Sequence, residues 1–240
     1  MPYEHAFVLY LDDHHAADAL FVQSLARSLA RVSRARFLLV HGSGEHGRQV
    51  LEGQGIFRDR VGGILPVETQ EEHALVERSL RQLNRKITSI LNEAVVSTVG
   101  IIGSDRGLLV VDGANLIVKR IDWLASLVEK GVVPVIASYA SEANSGRVGE
   151  VALHRTVAAL VSEWSSSATA VTFTKTNLPG VMRGGKPEPE VALDAVDERW
   201  VSELPALGEL VSQNIRVLLT NSTRLSDPDG PSGTLLHPAT

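Results

Sequence analysis

The chain reads Leu38-Leu39-Val40-His41-Gly42-Ser43-Gly44-Glu45, an apolar run that ends at two glycines separated by one serine. The run Arg36 to Val40 predicts a buried β-strand, which Gly42 stops. Glycines let the backbone turn sharply, so that successive N–H groups converge on a phosphate or a carboxylate. A helix predicted to begin at about Gly47 adds the positive end of its dipole. The first candidate site is therefore an anion-holding turn formed by His41, Gly42, Ser43 and Gly44.

Strand-like and helix-like runs alternate on both sides of this turn. Short apolar runs predict further strands at Ala6 to Leu11, Val96 to Ile102, Val132 to Ala137, Ala168 to Thr174 and Ile215 to Thr220. Amphipathic runs predict helices at Ala16 to Val32, Thr69 to Asn92, Ile121 to Lys130, Val148 to Trp164 and Val201 to Gln213. Alternation of this kind favours an α/β fold with a mainly parallel sheet sandwiched between helices, in three layers.

The remaining segments predict turns, loops and one edge strand. Asp112-Gly113 lies between two apolar runs and predicts a β-hairpin. Ser141 to Gly149 and Arg183 to Glu190 are typical of loops, and Ser222 to Ser232 of a surface loop. The run Gly233 to Leu236 predicts a short edge strand.

Composition excludes several classes of protein. The 240 residues include no cysteine, which excludes disulfides, thiolate nucleophiles and zinc–cysteine sites. A formal net charge of −5 argues against a nucleic-acid partner. The apolar runs are strand-sized and no signal peptide is visible, so we expect a cytoplasmic protein with no membrane contact.

A second candidate site follows a predicted strand end. The segment Thr174 to Met182 contains a Pro-Gly turn, and ligands of doubly wound sheets bind at the carboxyl ends of strands. Thr176 and Asn177 are therefore placed for contact with a ligand, although a plain β-turn is the better explanation of this segment taken alone.

Two other groups have structural alternatives. Asp12-Asp13-His14-His15 contains good ligands for a divalent metal, but neighbouring residues on a strand alternate faces, so no metal site is expected. Asp13 is instead a candidate helix cap. We interpret His41 as a hydrogen-bonded structural histidine rather than as a base.

The order of these segments resembles the amino-acid kinase family, in particular the acetylglutamate kinases and the carrier-linked aminoadipate kinases. Val40 to Gly44 is similar to their Val-His-Gly-Gly turn, and Thr176 to Met182 to their Thr-Asp-Val-Pro-Gly-Val-Leu segment. Four further segments resemble the family in the same order, Leu83 to Lys86, Gly100 to Gly107, Gly131 to Ala137 and Gly233-Thr234.

The resemblance implies a phosphotransferase that uses ATP and magnesium on the side-chain carboxylate of an N-acylated acidic amino acid. It also implies one domain over residues 1–240, with a substrate-side half to about residue 165 and a shortened nucleotide-side half from about 166. The nucleotide-side residues would be Thr176, Asn177, Leu178 and Gly180. By analogy with the family, the chain would form a homodimer.

The residues that the family uses for chemistry are mostly replaced. Its Lys-x-Gly-Gly corresponds to Tyr10 to Asp13, where two carboxylates replace the glycines. Its substrate-binding arginine falls at about Pro66, its Asn-x-Asn-x-Asp segment on Val151 to Arg155, and its late lysine motif around Val201 to Pro205. The candidate compensating cations are Lys86, Arg155 and Lys175.

Two functions remain open on this basis. The first is an acetylglutamate kinase-like enzyme whose activity is weak or lost, because phosphoryl transfer depends on cations that stabilise spreading negative charge. The second is a catalytically degenerate homologue that binds a ligand as a regulatory or scaffold subunit. Fold alone does not decide between them.

Overall fold

The computed structural model describes residues 5–32, 35–164 and 168–239. The strands are β1 Ala6–Leu11, β2 Arg36–His41, β3 Thr98–Ile102, β4 Leu109–Asp112, β5 Asn115–Val118, β6 Val133–Ala137, β7 Tyr139–Glu142, β8 Val148–Glu150, β9 Thr169–Phe173, β10 Met182–Arg183, β11 Lys186–Pro187, β12 Glu190–Ala192, β13 Val217–Thr220 and β14 Thr234–His237. The helices are α1 Asp13–Ala17, α2 Ala19–Leu29, α3 Gly44–Glu52, α4 Gln70–Glu93, α5 Ile121–Glu129, α6 Leu153–Trp164 and α7 Leu204–Ser212.

An eight-stranded sheet runs through the chain in the order β12-β14-β13-β9-β1-β2-β6-β3. Its neighbours are parallel except for β13 and β14, which are antiparallel. The two halves predicted for this chain meet in this sheet, because β1 pairs with both β2 and β9. The predicted boundary at about residue 165 lies outside the described residues.

Alternate residues of the central strands enter opposite layers of the core. On β1, Val8 and Tyr10 pack with the faces of α5, α6 and α7, whereas Leu9 and Leu11 pack with those of α2 and α4. The strands are buried on both faces, which explains why they are continuous apolar runs. The three-layer, mainly parallel α/β fold predicted from the sequence is confirmed.

A smaller four-stranded sheet, in the order β5-β4-β7-β8, stands beside the carboxyl end of β6. The predicted hairpin at Asp112-Gly113 joins β4 and β5. The prediction of a loop over Ser141 to Gly149 is confirmed for residues 143–147 and wrong at both ends, which belong to the antiparallel pair β7 and β8. The predicted helix at Val148 begins only at Leu153.

The carboxy-terminal strand is inside the large sheet rather than at its edge. β14 is bonded to β13 on one side and to β12 on the other. The edge position belongs to β12, which begins at the end of a segment predicted to be a loop. These short pairings depend on partners distant in sequence, which local patterns do not reveal.

Within the part of the chain that the structure describes, no helix has both the length and the apolar composition that crossing a membrane requires.

A substitution at Gly103 tests the close packing where the large sheet meets the small sheet. A Cβ atom there would lie 2.4 Å from the Tyr139 carbonyl oxygen and 2.4 Å from Leu109 Cδ1. We therefore expect Gly103→Ala to lower the free energy of unfolding by about 1–3 kcal/mol, the usual cost of overpacking. Urea denaturation measures this change.

Gly149→Ala is the matched control, because a Cβ at Gly149 meets no atom within 4 Å. We expect its effect to stay within about 0.5 kcal/mol. Equal stabilities of the two variants would contradict the packing described for Gly103.

Candidate functional site

The glycine turn lies where β2 ends and α3 begins, near the middle of the large sheet. His41, Gly42, Ser43 and Gly44 are all buried. Gly44 has a φ of +59°, a left-handed conformation that glycine adopts without steric cost. The helix after the turn begins at Gly44, three residues earlier than predicted, so its amino terminus is part of the turn.

The amide predicted to hold a ligand is bonded to a carboxylate of the same chain. The Ser43 N–H donates to Glu150 Oε1 at 2.6 Å, and the Leu65 N–H donates to Glu150 Oε2 at 3.3 Å. A Cβ atom on Gly42 would lie 3.3 Å from Glu150 Oε1, so the carboxylate sits directly on the turn. Glu150 therefore occupies the position that an external carboxylate or phosphate would take.

The sequence did not reveal Glu150, because the helix predicted from Val148 placed it away from the turn. In the structure Glu150 ends β8, and pairing of β8 with β7 directs this residue towards the end of β2. β7 in turn pairs with β4. Glu150 reaches Ser43 from 107 positions along the chain, a distance over which local sequence patterns carry no signal.

His41 is held in one tautomer by two hydrogen bonds. Its Nε2 accepts from Asn84 Nδ2 at 3.0 Å, so its Nδ1–H donates to the Gly42 carbonyl at 2.9 Å. Burial lowers the pKa of His41 to about 4, which keeps the imidazole neutral near pH 7. The ring therefore supports the turn and connects it to α4, as its interpretation as a structural histidine requires.

Side chains at the end of β1 form a second group of carboxylates. The Tyr10 hydroxyl donates to Glu203 Oε2, from the residue preceding α7. Asp12 Oδ1 lies 2.7 Å from His15 Nδ1 and also accepts from the His15 N–H. Asp12, rather than the predicted Asp13, thus caps α1, because only Asp12 precedes the first helical residue.

Arg60 links this carboxylate group to the glycine turn. Its Nε lies 3.0 Å from Asp13 Oδ2. Its Nη2 donates to Ser43 Oγ at 3.0 Å and to the Gly44 carbonyl at 3.1 Å. Sequence reasoning missed Arg60, since it lies in an irregular segment between α3 and α4 with no periodic pattern.

The carboxylates at this end of the sheet are difficult to ionise together. Burial, with smaller contributions from Glu203, Glu150 and Asp12, raises the pKa of Asp13 to about 7 against the opposing effect of Arg60. Burial also raises the pKa of Glu203. Burial and the neighbouring Glu203 raise the pKa of Tyr10 well above its usual value. The region thus disfavours additional negative charge.

A cavity of about 880 Å³ opens beside the turn, on the side of β8. Its lining comes from the loop at residues 61–64, the amino terminus of α4, the β7–β8 hairpin and the start of α6. Glu150 lines it, which connects the cavity to the glycine turn. The residues aligned with the lost Asn-x-Asn-x-Asp segment, from Val151 onwards, line it too. A volume of this order suits a small-molecule ligand.

The three candidate compensating cations lie in different places. Lys175 Nζ donates to the Glu198 carbonyl at 3.0 Å and is exposed. Lys86 is exposed on α4, beside a separate surface pocket. Arg155 lines the large cavity, where its Nη2 donates to the Ala114 carbonyl at 2.6 Å. Of the three, Arg155 alone lines the cavity that contains Glu150.

The predicted nucleotide-side turn follows β9, the strand next to β1. Thr176, Asn177 and Leu178 are exposed, and Gly180 is buried against Thr234. The turn is closed by its own hydrogen bonds, since Thr174 Oγ1 donates to the Leu178 carbonyl at 2.7 Å. His15 Nε2 lies 3.3 Å from the Thr174 carbonyl, which ties this turn to the end of β1.

Among the residues that the structure describes, no three His, Cys, Asp or Glu side chains are grouped so that they could hold a metal ion. Asp12, Asp13 and Glu203 are engaged by His15, Arg60 and Tyr10 respectively. These carboxylates therefore do not form an open set of ligands.

Comparisons with known proteins agree with the resemblance seen in the sequence. An acetylglutamate kinase of Geobacillus kaustophilus is 27% identical over 184 residues, which cover 72% of this chain and 69% of that protein. An acetylglutamate kinase of a Nocardioides species is 29% identical over 161 residues, which cover 60% of this chain and 51% of that protein. The matched region thus spans about half of the Nocardioides relative. No protein-family model matches the chain.

Solved structures show the same fold. An isopentenyl phosphate kinase superposes with a TM-score of 0.65 at 15% identity, over 96% of this chain and 100% of that one. An N-acetylglutamate synthase of Neisseria gonorrhoeae, complexed with coenzyme A and L-arginine, superposes with a TM-score of 0.67 at 14% identity, over 98% of this chain and 62% of that one. At these identities the likeness establishes the fold alone.

Asp13 gives the site a measurable pH dependence. Its folded-state pKa lies above its unfolded value, so its contribution to stability is complete below about pH 3.8 and is lost as the pH rises through about 7. Asp13→Asn removes this titration. We therefore expect the variant to gain about 2 kcal/mol in free energy of unfolding relative to the unmodified chain between pH 4 and pH 8, allowing for partial exposure of the carboxyl.

Urea denaturation at several pH values measures this difference. Gln54→Ala is the control, because Gln54 is exposed and carries no ionisable group, so the stability of this variant relative to the unmodified chain should not change with pH. A constant difference for Asp13→Asn across the range would mean that the carboxyl at position 13 is not destabilised by its surroundings.

Proposed function

We propose that this chain, which has the fold of the amino-acid kinases and is similar in sequence to acetylglutamate kinases, binds an amino-acid derivative in the cavity beside its glycine turn and transfers phosphoryl groups weakly or not at all. The observation that carries the proposal is the gathering of Asp12, Asp13 and Glu203 at the end of β1. The family resemblance places a lysine and two glycines at this strand end.

Electrostatics favours loss of phosphoryl transfer. Among the described residues, two of these carboxylates already have partners, since the His15 imidazole lies 2.7 Å from Asp12 and the Arg60 guanidinium lies 3.0 Å from Asp13. Two like charges about 4 Å apart repel by about 4 kcal/mol at the effective dielectric of a protein surface. The developing negative charge of a phosphoryl group would therefore be destabilised here, whereas catalysis requires its stabilisation.

ATP with magnesium does not fit the residues at this strand end. Lys175, which begins the nucleotide-side turn, donates to a carbonyl oxygen and is exposed. The carboxylates that could meet a magnesium ion are each held by a protein group. We therefore derive no catalytic step through ATP.

The cavity supports the binding half of the proposal. It remains open at about 880 Å³ although the catalytic groups are replaced. Arg147 and Arg155 line it, and neither guanidinium forms an ion pair with any other residue that the structure describes. A guanidinium binds carboxylate with favourable geometry, so one carboxylate of an amino-acid derivative would bind on this side.

The competing function is an active acetylglutamate kinase, and the names of the curated relatives favour it. A coupled assay of ADP release with N-acetylglutamate and ATP-magnesium separates the two. We expect no turnover above background. A turnover number of about 1 s⁻¹ or more, within the usual range of kinases, would contradict the proposal.

The triple variant Tyr10→Lys, Asp12→Gly, Asp13→Gly tests the physical reason. It removes two carboxylates and restores the cation, so we expect ATP-magnesium to bind at least about tenfold more tightly than to the unmodified chain, since one like-charge contact exceeds 1.4 kcal/mol. Isothermal titration calorimetry measures the affinity. Glu93→Gln is the control, because Glu93 is exposed at the carboxyl end of α4, just before β3 begins, and the parallel strands place the start of β3 at the opposite end of the sheet from the carboxyl end of β1. Unchanged ATP affinity in the triple variant would count against this account.

Assembly into a homodimer stays a prediction, which light scattering on the purified chain can measure.

A further inference from the structure

We infer that Glu150 determines which ligand the cavity accepts: an N-acylated amino acid whose side chain ends in a hydrogen-bond donor, such as an ammonium or an amide, rather than in a carboxylate. This inference rests on the proposed function, because it concerns the ligand of the same cavity. Glu150 would determine the charge that is accepted at one end of that ligand.

The glycine turn is already supplied with a negative charge. Glu150 accepts hydrogen bonds from the N–H groups of Ser43 and Leu65, at 2.6 Å and 3.3 Å. A ligand carboxylate could reach the Ser43 N–H only by displacing the Glu150 carboxylate or by lying against it. Like charges in such contact cost several kcal/mol.

Glu150 is also accessible from the cavity. Its side chain is half-buried and forms part of the cavity wall. A carboxylate has about four acceptor positions, and the two backbone N–H groups use two of them. The remaining positions suit a donor group on a ligand. A ligand ammonium or amide would therefore find an acceptor at the place where the family resemblance predicts that a ligand carboxylate would find donors.

The other charged groups of the cavity wall favour an anionic ligand group on the side away from Glu150. Glu68 is paired with Arg58 at 3.1 Å, and Glu209 with His154 at 2.8 Å. Glu142 accepts a hydrogen bond from Ser145.

The guanidinium groups of Arg147 and Arg155 place positive charge on the lining, and His73 of α4 also lines the cavity. The cavity thus joins an acceptor at Glu150 to cations elsewhere, which matches a ligand with a donor at one end and a carboxylate at the other.

Three probes of matched shape test this inference: N-acetylglutamate, N-acetylglutamine and Nα-acetylornithine. They share the acetyl group and the α-carboxylate and differ in the side-chain end, which is anionic, neutral or cationic. Calorimetry on the full chain at pH 7.5 measures the three affinities. We expect N-acetylglutamate to bind at least about tenfold more weakly than Nα-acetylornithine, with N-acetylglutamine between them or equal to the ornithine derivative.

Glu150→Gln should reduce that ratio at least about tenfold, because the glutamine side chain keeps the size of Glu150 and removes its charge. Glu150→Ala, which opens the turn without adding donors, should act in the same direction. Thermal melting by circular dichroism checks that each variant folds. Glu142→Gln is the control for general charge, because Glu142 lines the same cavity on the same hairpin and its side chain accepts from Ser145 Oγ. We expect it to shift the ratio by less than about threefold, well below the shift expected for Glu150→Gln.

The possible failures are distinguishable. If N-acetylglutamate binds as tightly as Nα-acetylornithine, or if Glu150→Gln leaves the ratio unchanged, the role of Glu150 is overturned while the proposed ligand cavity stands. If none of the three probes binds, both the ligand cavity and the inference built on it are overturned. A shift of the ratio in Glu142→Gln equal to that in Glu150→Gln would also overturn the inference, because the effect would then be one of general charge.

Discussion

The hydrogen bond from the Ser43 N–H to the Glu150 carboxylate joins the two sheets of this molecule beside the cavity. It connects the turn after β2 of the large sheet to the last strand of the small sheet. A buried backbone N–H must find an acceptor, and leaving it without one costs about 1–3 kcal/mol. The chain provides that acceptor itself. Strand pairing places the β7–β8 hairpin, and the contact with Ser43 then fixes a carboxylate where the cavity meets the turn.

The turn itself is held in shape by side chains from three segments. Asn84 is bonded to His41, which in turn donates to the Gly42 carbonyl. Arg60 donates to Ser43 Oγ and to the Gly44 carbonyl. These groups keep the backbone in the shape that binds anions in other proteins. With Glu150 on the turn and Asp13 beside it, the local charge is the reverse of what a phosphate needs. The backbone geometry of the turn therefore favours an anion, whereas the neighbouring carboxylates disfavour it. For group transfer the electrostatic effect is the larger of the two.

Local patterns were sufficient for the layers of the fold. Parallel strands buried on both faces must be continuous apolar runs, and the helices that cover them must carry one apolar face, so both are visible in a short window of sequence. The cap of α4 is local in the same way, since the Thr69 side chain accepts from the Glu72 N–H only three residues away. The short strands β7, β8 and β12 were missed, because their stability comes from distant partners.

The sequence by itself determined the α/β architecture, the glycine turn and the replacement of the residues at the end of β1, because each depends on residues close together in the chain. Only the tertiary structure decided what faces that turn. Glu150 and Arg60 reach it from two separate segments, and Glu203 reaches Tyr10 at the end of β1 from a third. Whether a side chain of one segment meets another segment depends on strand pairing and helix packing. Charge acts over a few ångströms in space regardless of separation in sequence, so the electrostatic character of the site emerged only with the fold.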